Sequence, residues 1–198
     1  MATWVTGVPL TQNNMESIKG KKVCVGVTGG IAVYKACEVV SGLRKLGADV
    51  TVIMTENATE FVTPLTFEIL SNNPVSVGMF DRIRSWEVEH ISIAKRSDLF
   101  VIAPATANFI GKVYAGIADD MLTTTVMATT AKVLIAPAMN HNMYLNPITQ
   151  RNIEELKKLG YEFIGPGEGR LANGDLGVGR LVDASEIVEK AVQLLCAK

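Results

Sequence analysis

The chain has almost no net charge: nineteen Lys and Arg stand against twenty Asp and Glu, leaving −1 at neutral pH. That balance argues against a nucleic-acid partner and against a membrane-surface role, since both usually rest on a strongly basic face. Long apolar runs are also missing; none approaches the roughly 20 residues needed to cross a bilayer. The first fourteen residues lack a positively charged start and a sustained apolar core, so they do not read as a signal peptide. Polar and irregular, with a second methionine at Met15, residues 1–20 are expected to form a flexible extension ahead of one domain over 21–198. Cysteine is scarce. Cys24, Cys37 and Cys196 are odd in number and form no CxxC, which excludes a disulfide framework and points to a reducing cytoplasm. No cluster has metal-ligand spacing, so no metal is expected. There is no GxSxG, no GxGxxG and no Walker A loop, which leaves nucleophile-elbow hydrolysis, dinucleotide binding and ATP binding unsupported.

What is present is alternation. Apolar runs over 23–28 (VCVGVT), 49–54 (DVTVIM), 99–103 (LFVIA), 133–136 (VLIA) and 161–164 read as five strands. Between them, helical spacing appears over 31–46, 63–70, 107–115, 120–128 and 147–159, and Asp183 opens a last helix with Glu186 as its capping-box partner. Gly47, the Asn72-Asn73-Pro74 cluster and Gly160 supply stops. Strands that are apolar almost throughout, separated by helices, predict a parallel sheet buried on both faces. At 198 residues the expectation is a single-domain α/β fold, a Rossmann-like doubly wound parallel sheet, with ligands bound beyond the strand C-termini.

The unusual segments fall at those ends. Thr28-Gly29-Gly30-Ile31-Ala32 joins the first strand to the first helix, where glycines let backbone N–H groups approach an anion at a helix N-terminus. Pro104-Ala105-Thr106-Ala107-Asn108 follows the third expected strand and combines a helix cap with hydroxyl and amide groups. Pro137-Ala138-Met139-Asn140-His141-Asn142-Met143-Tyr144 follows the fourth. Asp119-Asp120 precedes a helix and reads as cap and dipole partner rather than as an acid–base pair. The stretch from Gly169 to Arg180 (GRLANGDLGVGR) has four glycines in twelve residues and reads as a loop. Histidine, the side-chain type that exchanges protons near neutral pH, occurs only at His90 and His141. Of these, His90 is the candidate for chemistry, and His141 reads as exposed and incidental.

These segments together resemble the phosphopantothenoylcysteine decarboxylases of the flavin-containing cysteine decarboxylase family. The likeness runs in order from about Lys22 to Arg180. The family's segments read Pro-x-Ser-Ala-Asn, Pro-x-Met-Asn-x-x-Met-Trp and Leu-Ala-Cys-Gly-Asp-x-Gly-x-Gly-Arg. Here Thr106, Tyr144 and Asn173 stand for the Ser, the Trp and the Cys. The resemblance implies an FMN flavoprotein. It implies cofactor contacts from Thr28, Gly29, Gly30, Ile31, Lys35, Met54, Thr55, Thr106, Ala107, Asn108, Phe109, Ala138 and Met139. It implies substrate contacts from Asn140, which would hold the substrate carboxylate, and from Met143, Leu171, Ala172 and Arg180. His90 would be the active-site base, and Asn173 occupies the position of the catalytic acid.

The implied substrate is 4'-phosphopantothenoylcysteine, on the route to coenzyme A. Loss of CO2 directly from a cysteine α-carbon would leave an unstabilised carbanion. Oxidation at the thiol-bearing carbon gives a thioaldehyde as an adjacent electron sink, CO2 leaves to give an ene-thiol, and the family's second half reduces it to phosphopantetheine with Cys as acid. With Asn173 the first half is expected to proceed and the second to stall. Asn173 reads either as a substitution made to trap the intermediate or as a natural feature of an oxidative or inactive homologue. Two alternatives share the resemblance: an oxidative decarboxylase of peptidyl cysteine, and a flavin-binding regulatory protein without turnover. Regulators of that kind usually carry long acidic tails, and none occurs here. Family members are trimers, or dodecamers of trimers, with flavin sites between subunits, and bacterial members often carry a second synthetase domain. A chain ending at Lys198 reads as monofunctional or as an excised decarboxylase domain.

Overall fold

The computed structural model describes residues 18–80, 88–170, 174 and 176–197. Six strands form one parallel sheet: β1 (Lys22–Val27), β2 (Asp49–Met54), β3 (Val75–Ser76), β4 (Leu99–Ala105), β5 (Lys132–Pro137) and β6 (Glu162–Phe163). Their order is β3-β2-β1-β4-β5-β6. The chain winds outward from β1 in one direction, then returns beside it as β4 and winds the other way. The expected doubly wound architecture is therefore present, and its topological switch lies between β1 and β4.

The period of two along each strand sorts side chains into two cores. Val23, Val25 and Val27 of β1 and Leu99, Val101 and Ala103 of β4 face one layer. There they meet α1 (Val33–Lys45), α3 (Pro64–Ser71) and α9 (Ala184–Cys196). Cys24, Phe100 and Ile102 face the other layer. There they meet α4 (Glu89–Arg96), α5 (Ala107–Ala115), α6 (Met121–Ala128) and α8 (Pro147–Lys158). Each fully buried aliphatic side chain contributes about 1.5–3 kcal/mol, so both faces hold the sheet.

Several expectations need correction. Ile18 is fully buried and the Gly20 N–H donates to the Gly47 carbonyl at 2.9 Å, so the packed domain includes residues 18–20. The first helix starts at Val33 rather than 31, because residues 28–32 stay in a turn. The two-residue edge strand β3 has no sequence signature of its own. It is fixed from outside by the Glu68 carboxylate, which accepts from the Val75 N–H at 3.3 Å. Two short helices were also unread, α2 (Glu56–Thr59) and α4. The glycine-rich stretch is not simply a loop. β7 (Gly167–Arg170) and β8 (Leu176–Arg180) pair antiparallel as a hairpin. A last short helix, α7 (His141–Leu145), leads into α8.

Candidate functional site

The switch point is built by a threonine. The Thr28 hydroxyl, at the end of β1, donates to the Pro104 carbonyl at 2.8 Å and accepts from the Thr106 N–H at 3.0 Å. It is buried, so both bonds form away from water and tie the ends of β1 and β4 together. Thr106 then caps α5, its hydroxyl accepting from the Phe109 N–H at 3.3 Å. The glycine turn of β1 and the N-terminus of α5 thus face one space, both presenting backbone N–H groups and positive dipole ends.

Two cavities open there. The larger, about 640 Å³, is lined by Thr28, Gly29, Thr55, Asn57, Thr106, Asn108 and Phe109 on the strand-end side, and by Val77–Phe80, Lys112, Asp119 and Asp120 on the other. The smaller, about 340 Å³, is more apolar and is lined by Gly29, Gly30, Ile31, Ala107, Ala138, Met139, Asn140 and Met143 among others. Gly29, Thr106 and Met143 border both. Gly29 has to be glycine: an added Cβ would lie 2.5 Å from Asn57 Cβ and 2.7 Å from its carbonyl carbon. Thr55 Oγ1 is buried with no partner, and an unpaired buried hydroxyl is costly. An anion in this cavity would supply the missing partner. Hydroxyls, amides and helix N-termini beside an apolar slot fit a flavin mononucleotide.

Asp120 fixes the far wall. Its carboxylate accepts from the Thr123 N–H at 2.8 Å while its own N–H donates to the Thr123 hydroxyl at 3.3 Å, a reciprocal cap of α6 as expected. Lys112 Nζ bridges Asp119 at 2.7 Å and Asp120 at 3.1 Å. Its hydrogen bond to Asp119 pushes the Lys112 ammonium's pKa above the ordinary lysine range. The same bond draws the Asp119 carboxyl below the ordinary range.

The hairpin is fastened to the segment after β5. The Met139 N–H donates to the Gly179 carbonyl at 2.9 Å. His141 Nδ1 lies 3.1 Å from the Val178 nitrogen and 3.2 Å from its carbonyl oxygen. His141 is half-buried, so it is neither exposed nor incidental. Asn140 caps α7 with its side-chain oxygen, which accepts from the Asn142 N–H at 2.9 Å.

Most expected cofactor residues meet at the two cavities: Thr28, Gly29, Gly30, Ile31, Thr55, Thr106, Ala107, Asn108, Phe109, Ala138 and Met139 line one or both, as do Asn140 and Met143. Met54 and Lys35 line neither; the Met54 side chain is wholly in the core. Arg180 also lines neither and sits 3.6 Å from Asp183. His90 lies in the first turn of α4, half-buried, and borders neither cavity. Leu171, Ala172 and Asn173 lie outside the described residues. Sequence reasoning missed Asn57, Val77–Phe80 and Lys112 as cavity walls. The first two carry no motif, and only the i, i+7 spacing of Lys112 to Asp119 hinted at the third. Among the described residues no group of three or more His, Cys, Asp or Glu is placed to hold a metal ion, and no helix is long and apolar enough to cross a membrane.

A family model described as Flavoprotein matches residues 11–196. The coenzyme A biosynthesis bifunctional protein CoaBC of Bacillus subtilis (strain 168) is 52% identical over 174 residues, covering 88% of this chain and 43% of that protein. The CoaBC protein of Escherichia coli (strain K12) is 46% identical over 176 residues, with 89% and 43% covered. The chain spans under half the length of these curated relatives. Among solved structures, a cysteine-to-serine mutant of PPC decarboxylase complexed with pantothenoylaminoethenethiol superposes with a TM-score of 0.80 at 30% identity, covering 90% of this chain and 100% of that one. The FMN-binding protein AtHal3 superposes with a TM-score of 0.75 at 31% identity, with 87% and 95% covered.

Proposed function

The chain belongs to the flavoprotein family, and on that premise we propose that it is an FMN-dependent decarboxylase of 4'-phosphopantothenoylcysteine, acting in coenzyme A biosynthesis. The observation that carries the reading is the unpartnered Thr55 hydroxyl in a cavity shared by the β1 turn and the α5 N-terminus. The names of the structural relatives, a PPC decarboxylase and an FMN-binding protein, support it. FMN bound there would supply the hydride-accepting chemistry that turns the thiol-bearing carbon into the electron sink CO2 loss requires.

The chain's own residues bind and orient. Thr55, Thr106 and the amides of Gly29 and Gly30 would hold the phosphate and polyol. Ala107, Ala138 and Met139 line the apolar slot and exclude water from the reacting face. Asn140 uses its side-chain oxygen as a cap, which leaves the NH2 end to donate to the substrate carboxylate. That bond fixes the cysteine end of the substrate relative to the flavin. His90 would take the proton of the substrate thiol.

His90 borders neither cavity of its own chain, which supports a homo-oligomer, a trimer or a dodecamer of trimers, in which a neighbouring copy brings its His90 to the site. Exposed apolar side chains such as Leu65 and Ile69, 61% and 72% exposed in the single chain, agree with burial in such an assembly. Three cysteines, an odd number with no CxxC, suit a cytoplasmic setting.

The test is direct. The purified protein should be yellow, and anaerobic addition of 4'-phosphopantothenoylcysteine should bleach the flavin absorbance with release of CO2. Colourless protein that fails to bind added FMN, or bound FMN that substrate never bleaches, would refute the reading. Sedimentation should give a trimer or a multiple of it; a monomer at micromolar concentration with FMN still bound counts against the shared site.

A further inference from the structure

We infer that His141 is the positioning residue that pins the β7–β8 hairpin to the Met139–Asn140 segment, and so sets the spacing between Asn140 and Arg180. The inference rests on the proposed decarboxylase reading for its functional consequence, though not for its geometry.

The pairing of β7 with β8 slips by one residue, Gly167 facing Arg180 while Glu168 faces Val178. Gly179 is the extra residue of this bulge, held at φ +143, a conformation open to glycine alone. The bulge turns the Gly179 carbonyl outward to the Met139 N–H at 2.9 Å. Next to it, both polar groups of Val178 face His141 Nδ1, at 3.1 and 3.2 Å. With its proton on Nε2 the ring accepts from the Val178 N–H; with a proton on Nδ1 it donates to the Val178 carbonyl. One ring atom therefore pairs one of the two Val178 backbone groups in either form, beside the Gly179–Met139 bond.

Two glycines are shaped to this contact. A Cβ at Gly177 would lie 2.7 Å from His141 Nδ1 and 2.9 Å from its Cγ. A Cβ at Gly179 would lie 2.3 Å from the Met139 carbonyl oxygen. The hairpin backbone thus approaches the imidazole at Gly177, and the Met139 peptide at Gly179, too closely for any side chain. His141 immediately follows Asn140, and Arg180 follows Gly179. Any slip at this contact changes the distance between Asn140, proposed to hold the substrate carboxylate, and Arg180.

The experiment uses the intact FMN-loaded protein and three variants. His141→Leu keeps bulk and removes the polar atom. His141→Asn places an amide atom where Nδ1 stood. Gly177→Ala displaces the ring while leaving the histidine in place. A net hydrogen-bond contribution of the usual size corresponds to about a fivefold change in an equilibrium. Hydrogen exchange at the Val178 amide, without substrate, should quicken about fivefold in His141→Leu and in Gly177→Ala, and should stay within about twofold of wild type in His141→Asn. In anaerobic flavin-bleaching kinetics, the substrate concentration giving half the limiting rate should rise about fivefold in the first two variants. The limiting rate and FMN content should hold, and His141→Asn should restore substrate affinity.

Unchanged Val178 exchange in His141→Leu overturns the inference. So does a His141→Asn variant that behaves like His141→Leu, because the polar contact would then not matter. A fall in limiting rate and FMN content together, with substrate affinity unmoved, makes His141 a general folding element and likewise overturns it. If wild-type protein never bleaches, the functional reading fails while the exchange measurement still decides the pin.

Discussion

Thr55→Val should move stability and cofactor affinity in opposite directions. The substitution replaces one hydroxyl by a methyl at a position whose Oγ1 is buried and unpartnered without ligand. An unsatisfied buried hydroxyl costs about 1–3 kcal/mol, so the FMN-free variant should be more stable than wild type by a similar amount. For a chain of this size that is roughly 2–4 °C in Tm for each kcal/mol recovered. In the proposed FMN complex the same hydroxyl would donate to a phosphate oxygen, and a hydrogen bond to a charged group contributes about 1.5–3 kcal/mol. The Kd for FMN should therefore rise about ten- to hundredfold. Because a ligand stabilises by RT ln(1 + [L]/Kd), the two melting curves should cross as FMN is added. Calorimetry of the FMN-stripped protein, followed by an FMN titration, reads both effects. A variant that melts below wild type without FMN, yet binds FMN equally well, would show that Thr55 is a structural residue whose hydroxyl finds a protein or water partner.

Neighbouring glycines should respond differently to the same change. Gly29→Ala forces a Cβ to 2.5 Å from Asn57 and should lower the Tm of FMN-free protein through overpacking of about 1–3 kcal/mol. Gly30→Ala, whose Cβ meets nothing closer than Thr106 Cγ2 at 3.8 Å, should leave that Tm unchanged and weaken only FMN binding; equal destabilisation of both would sink the argument. His90→Asn should keep FMN bound and abolish substrate-driven bleaching, so an unchanged bleaching rate would make His90 structural. The Lys112–Asp119 bridge has a lowered carboxylate and a raised ammonium. Its contribution should be lost as pH falls through the lowered Asp119 pKa, and again as pH rises through the raised Lys112 pKa. Lys112→Met should therefore flatten the stability–pH profile at both extremes, and a variant profile parallel to wild type would remove the bridge from the wall of the cavity.

The legible part of this protein is the part whose signals are local. Apolar runs such as VCVGVT and LFVIA announce buried strands, and glycine, hydroxyl and amide residues crowd the strand ends because ligands bind there. The hairpin was hidden because its strands are half glycine, so neither alternation nor β-propensity marks them. What makes LGVGR a strand is its pairing with GEGR and its contact with Met139 and His141, almost forty residues upstream in sequence. His141 itself looked incidental for the same reason: one histidine on a short helix has no pattern. The larger cavity's outer wall at Val77–Phe80 carries no motif either, and Phe80, 97% exposed, has meaning only beside the strand ends it faces.

Asn173→Cys addresses the position that the family resemblance assigns to the catalytic acid. In the proposed reaction the first half would remove a hydride and a proton from the thiol-bearing carbon and sulfur, and CO2 would leave with its bonding electrons remaining on the substrate. The resulting ene-thiol needs a hydride and a proton to become phosphopantetheine. A cysteine thiol can donate that proton near neutral pH, whereas an asparagine amide cannot. The Asn173 protein should therefore release CO2, bleach its flavin absorbance and hold a product two hydrogens lighter than phosphopantetheine. Asn173→Cys should yield phosphopantetheine itself with recovery of the oxidised absorbance. The backbone should accept the exchange, since Cys is smaller than Asn and the adjoining Gly174, at φ +91, already takes the conformation that side chains resist. Mass spectrometry of the product under anaerobic conditions separates the cases by those two hydrogens. If the Asn173 protein already makes phosphopantetheine as fast as the cysteine variant, the proton comes from another group and the assignment of this position as the acid is wrong.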